Sequence, residues 1–365
     1  MKLAPQLSTL VHHCFQPLKK TLLECKSARH ASSFFPHLRI PFVPRPEICA
    51  DIHTVVQIEK RFPQSLQIEV DATWLRSRNG FSTIWRRLGV FVNLISRPEI
   101  LPGKWAADLG DWVNAEGPTL GFCSNFHRTL LIPDRGFFSS SGYARQRQQG
   151  LAAPAFKDRD TTIAWRGNPT GWGELFTAQM NPYDPTLRQR IRLCLLAREA
   201  QAARIPGVDL RITGGTHLHP MAATHYKKVG IYGEYQPQSS WTHRQFAIDI
   251  DGHANAFSNF FVRLLYGCCV IKVASPRAFR QWYYDGLTPW EHYIPVAADL
   301  SDLMDRIDWC RHHVPDCRDV AARGQALALS LTLDKERHKA LETIRTRQPY
   351  ALDSSNTQSF RASGR

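Results

Sequence analysis

Chemistry is most concentrated in FAIDIDGHANAFSN, Phe246 to Asn259. The apolar start predicts a buried strand over Phe246–Ile250 that delivers Asp249, Asp251 and Gly252 to the end of a sheet. A helix over Ala256–Tyr266 follows, ended by Gly267. The first turn of such a helix carries N–H groups without intrahelical partners and the positive end of a dipole. With the Ser258 hydroxyl added, this is a seat for an anion, and a diphosphate suits it. A strand–Gly–helix junction is also common in α/β proteins, so the same residues can be an ordinary turn. Asp249 and Asp251 admit a second chemistry. Two carboxylates at strand period 2 share a face and can hold Mn2+ or Mg2+ through oxygen ligands.

Other side chains carry a functional and a bland reading side by side. Trp282, Tyr283, Tyr284, Trp290, His292 and Tyr293 form an aromatic cluster. It is either a platform for a base or sugar ring or packing between the last strands and helices. His217 and His219 in GGTHLHP lack a third ligand at metal spacing, so a loop is expected there. Arg263 and Lys272 are cations close to the anion seat, and both can equally snorkel from helix and strand.

Positioning these groups takes a scaffold, and the bulk properties bound it. A chain of 365 residues suits two domains, each able to bury its own core. Hydrophobic residues at 43% and charged residues at 21% are ordinary for a globular protein. No apolar run nears the ~20 residues that span a bilayer. The N-terminus, MKLAPQLSTLVHHCFQPLKK, lacks the apolar segment and small-residue cleavage site of a secretory signal. The 9 cysteines show no CxxC pair and no zinc spacing. They predict reduced, mostly buried thiols and a cytoplasmic protein. The net charge of +14 points to an anionic partner, which can be nucleic acid, an acidic membrane surface or a phosphorylated small molecule. It fits a plain basic surface as well. No nucleic-acid-binding signature accompanies it, so a nucleic-acid binder is disfavoured.

Residues 1–50, rich in Pro, His and Phe, are expected to wrap around the first domain and to be partly disordered. Strand-like runs at Ser65–Val70, Gly89–Ile95, Gly121–Cys123 and Leu130–Ile132 predict an α/β domain over 1–158. SSSGYARQRQQG, Ser139–Gly150, reads as a surface loop, with the linker running on to Asp160. A second domain, 159–330, alternates strands and helices. The strands are Thr162–Trp165, Val208–Thr213, Phe246–Ile250 and Val270–Val273. The helices are Pro185–Ala203 with Asp184 as cap, Ala256–Tyr266, Asp299–Cys310 and Asp316–Leu329. Strand–loop–helix–strand is the unit of an open parallel sheet, which binds ligands at the carboxyl ends of its strands. A last helix, Asp334–Arg347, and a disordered tail make up 331–365.

The stretch from His243 to Leu303 also resembles a known family. HRQFAIDIDGHANAFSNFFVRLLYGCCVIKV and SPRAFRQWYYDGLTPWEHYIPVAADLSDL are similar to glycosyltransferase family 90, the CAP10-like group. That group includes bacterial lipopolysaccharide-modifying transferases, fungal capsule xylosyltransferases and animal protein O-glucosyltransferases. IAWRGNPTG, Ile163–Gly171, looks like the family's aromatic-Arg-Gly strand end. The resemblance implies a GT-B-like fold of two facing Rossmann-like domains with a cleft between them, the C-terminal one holding the sugar nucleotide. It implies an inverting transferase that needs no metal or other cofactor. Such an enzyme moves a sugar, glucose or xylose by preference, from a UDP-sugar to a glycan or glycolipid such as lipopolysaccharide core or capsule precursor. It would work in the cytoplasm, with possible peripheral contact to the anionic inner face of a membrane and no nucleic-acid partner. KWAADLGDWVN, Lys104–Asn114, is similar to the family's base motif, which places Asp111 as general base with Asp108 as the fallback. Carried over as nucleotide-sugar contacts are Arg166 and Gly167, then Asp249, Asp251, Gly252, Ala256, Ser258, Asn259 and Arg263. Arg166 would stabilise the departing diphosphate, unless it is an ordinary surface ion pair. Asn259 stands where some relatives carry a basic residue. Asp251 stands where the animal enzymes carry an Arg. Both departures favour the bacterial branch of the family.

Overall fold

Two large sheets, one in each of two compact units, organise the chain, and a two-stranded sheet lies in the second unit. The computed structural model describes residues 42–45, 55–61, 65–71, 81–113 and 117–346. The expected N-terminal wrapping and disordered tail fall outside the described residues, apart from 42–45. Strands and helices are numbered in chain order. They run β1 (Phe42–Arg45), β2 (Val55–Arg61), β3 (Ser65–Asp71), α1 (Phe81–Ile95), β4 (Gly103–Asp108), β5 (Thr119–Gly121), β6 (Cys123–Ser124) and β7 (Leu130–Leu131). Then come α2 (Arg135–Ser139), α3 (Ala144–Leu151), β8 (Ile163–Gly167), α4 (Gln189–Ala202), β9 (Val208–Ile212), α5 (Ala222–Val229), β10 (Phe246–Asp249) and α6 (Ser258–Leu265). The chain continues through β11 (Cys269–Val273), β12 (Arg280–Gln281), β13 (Ile294–Val296), α7 (Leu303–His312), α8 (Val314–Ser330) and α9 (Leu333–Thr346).

The first unit comprises residues 1–121, 126–132 and 337–365. Its sheet has the order β1-β3-β2-β4-β5-β7. Strict alternation in VVQIEKR puts Val56, Ile58 and Lys60 inside, and Lys60 is satisfied by the carbonyls of Arg97 and Ile100 at 2.6 and 2.5 Å. β2 pairs antiparallel with both β3 and β4, whereas β4, β5 and β7 are parallel. The unit is therefore α/β with a mixed sheet, and its antiparallel strands depart from a purely Rossmann-like arrangement. The run Gly89–Ile95, expected as a strand, is the end of α1. Leu88, Phe91, Val92 and Ile95 are buried at spacings of three and four, which is a helical face and not a strand.

The second unit comprises residues 122–125 and 133–336. Its five-stranded sheet is parallel throughout, in the order β13-β11-β10-β8-β9. β8 is followed on one side by β9 and on the other by β10, so the winding reverses between β8 and β10. Such a switch point opens a crevice at the carboxyl ends of the two strands. β10 and β11 are buried along their whole length, as central strands covered on both faces must be.

The second compact unit already takes in residues 133–158. Ser139–Gly150 is not a surface loop but the end of α2 and most of α3. α3 lies so close to the end of α6 that a Cβ on Gly150 would sit 2.0 Å from the Leu265 carbonyl oxygen. Arg147 donates to the carbonyls of Leu329 and Leu331 at 2.8 and 2.6 Å, tying the polar face of α3 to the end of α8. α4 begins at Gln189, later than expected, because Asp184 accepts from the backbone N–H and hydroxyl of Thr186 in a turn of its own. Six cysteines among the described residues are free and buried. Among the described residues no helix is long and apolar enough to cross a membrane.

Candidate functional site

The crevice of the second unit is built from three loops, those after β8, β10 and β11. The loop after β10 starts with the acidic pair. Asp249 and Asp251 are each 2% exposed in their side chains, and the Lys272 ammonium lies between them. It stands 2.9 Å from Asp249 Oδ2 and 2.8 Å from Asp251 Oδ1. Lys272 is the direct register partner of Asp249 across β10 and β11, so the parallel pairing itself delivers the cation. Burial alone would raise the Asp251 carboxyl. The Lys272 charge, with hydrogen bonds from Lys272, Ser275 and Asn255, outweighs it and holds the group below the usual carboxylate range. Burial pulls Lys272 down, and the two carboxylates more than reverse this, so its ammonium is held above the ordinary lysine range. Of the two readings open for Lys272, snorkelling does not occur, since its ammonium is buried between the carboxylates.

Arg190, in the first turn of α4, ties this loop to the one after β8. Its guanidinium donates to the carbonyls of Ile250, Asp251 and Asn168 at 2.9, 2.9 and 3.1 Å and to the Thr170 hydroxyl at 2.8 Å. The loops touch at Gly252, where a Cβ would lie 2.6 Å from Thr170 Oγ1. Trp172 Nε1 donates to the His253 carbonyl at 2.8 Å. The loop after β11 is joined through Asn255, which is 3% exposed and donates to both Asp251 oxygens and, at 3.1 Å, to the Phe279 carbonyl.

α6 starts at Ser258, two residues later than expected, so Ala256 lies in the loop and accepts from Asn259 N at 3.0 Å. Phe257 precedes the helix with φ 40°, a conformation rare for a residue with a side chain. The Ser258 hydroxyl bonds to Tyr143, whose own hydroxyl reaches Asp134 at 3.3 Å. Asp134 is fully buried, and desolvation raises its carboxyl against several hydrogen bonds. Asn259 is exposed. Asp249, Asp251, Gly252, Ala256, Ser258 and Asn259 thus share one loop and helix start, as their sequence proximity requires.

Arg166, Gly167 and Arg263 are placed differently. The Arg166 guanidinium is spent on protein. It pairs with Asp209 on β9 and donates to the carbonyls of Trp165, Asp209 and Glu234 at 2.9, 2.8 and 3.2 Å. The structure thus gives it the ion pair named as the bland alternative, because its side chain lies across β9. Gly167 is required by the Trp165 ring, whose Cζ2 would stand 2.6 Å from a Cβ there. Arg263 lies at the far end of α6, buried with its guanidinium carbon 3.8 Å from the centre of the Trp241 ring, and burial lowers it to about 10.

The aromatic cluster divides. Trp282 and Tyr283 are core, packed against Phe261 at 5.5 and 5.1 Å between ring centres. Tyr284 and Tyr293, with Phe260, Phe279, Lys272 and Ser275, line a cavity of about 310 Å3 at the ends of β11 and β13. His219 packs its ring against Phe176 in the loop where it was expected. Sequence reasoning missed Arg190, which belongs to no motif. Its only signal was a basic residue in the first turn of a helix, where the dipole disfavours one.

In the first unit, Asp111 follows β4 on an exposed bend, with its side chain 53% exposed and Arg87 Nη2 at 2.6 Å. Arg87 also donates to the Leu109 carbonyl at 2.8 Å, which fixes the pair. Asp108 is 1% exposed and accepts from Gly110 N at 2.8 Å, the geometry of a turn-forming aspartate.

Comparison with known proteins matches the same region. The profile of glycosyl transferase family 90 fits residues 143–335. Uncharacterized protein 035R of Invertebrate iridescent virus 3 is 29% identical over 184 residues, which are 50% of this chain and 16% of the viral protein. Protein O-glucosyltransferase 2 of Danio rerio is 23% identical over 257 residues, 66% of this chain and 46% of the relative. The chain therefore spans less than half the length of either relative. Among solved structures, Anabaena HepE in complex with UDP and glucose aligns with TM-score 0.36 at 11% identity, over 62% of this chain and 57% of that one.

Proposed function

Since the chain belongs to glycosyl transferase family 90, whose profile covers more than half of it, we propose that it is an inverting glycosyltransferase using a UDP-sugar donor. The observation that carries this reading is the crevice at the β8–β10 switch point, inside the family region, where three strand-end loops interlock through Arg190, Gly252 and Asn255. The name of the Danio rerio relative supports glucose as the sugar, with xylose the next choice. The net charge of +14 supports an acceptor on or near an anionic surface, as lipopolysaccharide core or capsule precursor would be, and work at the cytoplasmic face of a membrane.

Asp111 is the proposed base. A base must be open to the acceptor, and the Asp111 side chain is exposed, with Arg87 Nη2 at 2.6 Å to orient it, while Asp108 is buried in a turn. In the reaction the acceptor oxygen bonds to the anomeric carbon as the bond from that carbon to the diphosphate oxygen breaks. The electron pair stays on the diphosphate and the hydroxyl proton passes to the carboxylate. A metal-independent route is supported by Lys272, because its ammonium stands between the two carboxylates where a cation-binding pair would need its ion.

Thermal stabilisation by UDP-glucose, UDP-xylose, UDP-galactose and UDP-glucuronate, with and without EDTA, tests the donor and the metal together. One UDP-sugar should raise Tm, and EDTA should leave that rise unchanged. Asp111→Asn should cut transfer by about 10²–10⁴-fold while keeping donor binding. No stabilisation by any UDP-sugar, together with unchanged turnover in Asp111→Asn, would end this reading.

A further inference from the structure

The proposed transfer leaves an extra negative charge on the diphosphate, and a cation must meet it. Most cations around the crevice are already committed. Arg166 is paired with Asp209, Lys272 is shared by two aspartates, and Arg190 is spent on three carbonyls and a hydroxyl. Arg188 donates to the carbonyls of Gly173 and Pro169, both at 3.0 Å. Arg277 differs. Its guanidinium lies over Trp172 with its carbon 3.9 Å from the ring centre, and it has no hydrogen bond or ion pair with any described residue. Its donors stay available while the indole fixes where they are.

The position is built from both sides. Arg277 sits at the corner of a turn in which Ala278 N donates to the Ser275 carbonyl at 3.2 Å and Ala278 takes φ 55°. The Ser275 hydroxyl accepts from Phe279 N at 2.9 Å and also bonds to Asp251. Asn255 holds the Phe279 carbonyl from the loop after β10. On the other side Trp172 is bonded to His253 and carried by the loop after β8. Three strand-end loops thus hold one exposed guanidinium over the crevice.

The geometry points to Arg277, stacked on Trp172, as the residue that binds the diphosphate of the donor and takes up its charge as the sugar departs. This rests on the nucleotide-sugar reading above. It replaces Arg166 in that role, and it gives this chain a cation in the crevice although Asn259 and Asp251 stand where relatives carry basic residues.

The test is the affinity of the full chain for UDP and for uridine, by calorimetry, in wild type and variants. Arg277→Ala should weaken UDP by about 10- to 100-fold, the scale of a charge-assisted contact, and leave uridine unchanged. Arg277→Lys should recover part of the loss, and Trp172→Ala should weaken UDP less than Arg277→Ala. Arg280→Ala removes the same charge three residues away, where Arg280 pairs with Asp285, and should leave UDP binding as it is. Equal UDP affinity in wild type and Arg277→Ala overturns the inference and spares the donor reading. Equal losses in Arg277→Ala and Arg280→Ala also overturn it, since bulk charge then suffices. A wild type that binds neither UDP nor uridine overturns both.

Discussion

Replacing Lys272 with Met removes the ammonium and keeps most of the side-chain volume. The cost follows from what remains. Asp249 and Asp251 are each 2% exposed, and the cation between them at 2.9 and 2.8 Å is gone. Breaking a buried ion pair from one side costs about 3–5 kcal/mol. For a unit of about 200 residues each kcal/mol is worth about 2–4 °C, so Tm should fall by about 6–20 °C at pH 8. A pH dependence should also appear. In the wild type Asp251 is held low, so its stabilisation is complete above the ordinary carboxylate range and is lost only as pH falls through it. Lys272 is held high, so its contribution is complete below the ordinary lysine range and is lost above it. Asp251 and Lys272 are therefore both charged and contribute no slope from pH 5 to 8. Without the ammonium, burial, the largest influence on Asp251, is no longer offset by that charge and raises its carboxyl, so acidification from pH 8 to 5 should stabilise Lys272→Met. Adding Asp249→Asn and Asp251→Asn should recover much of the loss. Circular dichroism melts across that pH range read all of this. A Tm within about 2 °C of wild type, or no gain in stability on acidification from pH 8 to 5, would refute the triad as the internal support of the crevice.

Two other substitutions separate support from binding. Arg166→Ala leaves the Asp209 carboxylate with Arg211 alone, at 3.3 Å, and removes the donor to three carbonyls, so it should lower Tm by several degrees, for a cost of about 1–3 kcal/mol, while UDP affinity by calorimetry stays within about twofold. Gly252→Ala puts a methyl 2.6 Å from Thr170 Oγ1 and should cost about 1–3 kcal/mol through forced separation of the loops after β8 and β10. UDP affinity should fall with it, and Thr170→Ala in the same chain should restore both.

The second unit was legible in the sequence because its central strands, β10 and β11, are buried on both faces and read as apolar runs bounded by turn residues. Phe246–Asp249 and Cys269–Val273 fall within a residue or two of expectation. The first unit was less so. GVFVNLI has seven residues of strand-like composition, and its helical period shows only when Leu88 is counted with it. ARQRQQG reads as a loop by polarity, yet α3 is held by tertiary contacts at Gly150 and Arg147 that no local pattern announces. In the site, the acidic pair and Gly252 were visible as a motif. The partner of the pair was not, because Lys272 meets Asp249 only through the register of two parallel strands. Arg166 misled for the opposite reason. It stands at the right strand end, but which way its side chain turns is decided by Asp209 on the neighbouring strand.

The buried charges beneath the crevice cancel. Asp249 and Asp251 are matched by Lys272 and by Arg190, both carried inside the same unit. A neutral, interlocked base exerts little long-range field of its own, so what the crevice attracts is decided at its rim. Rim side chains are exposed and can be exchanged at little cost to folding. Preference for one anionic group over another can then drift or be engineered by single rim substitutions, while the base beneath stays as it is.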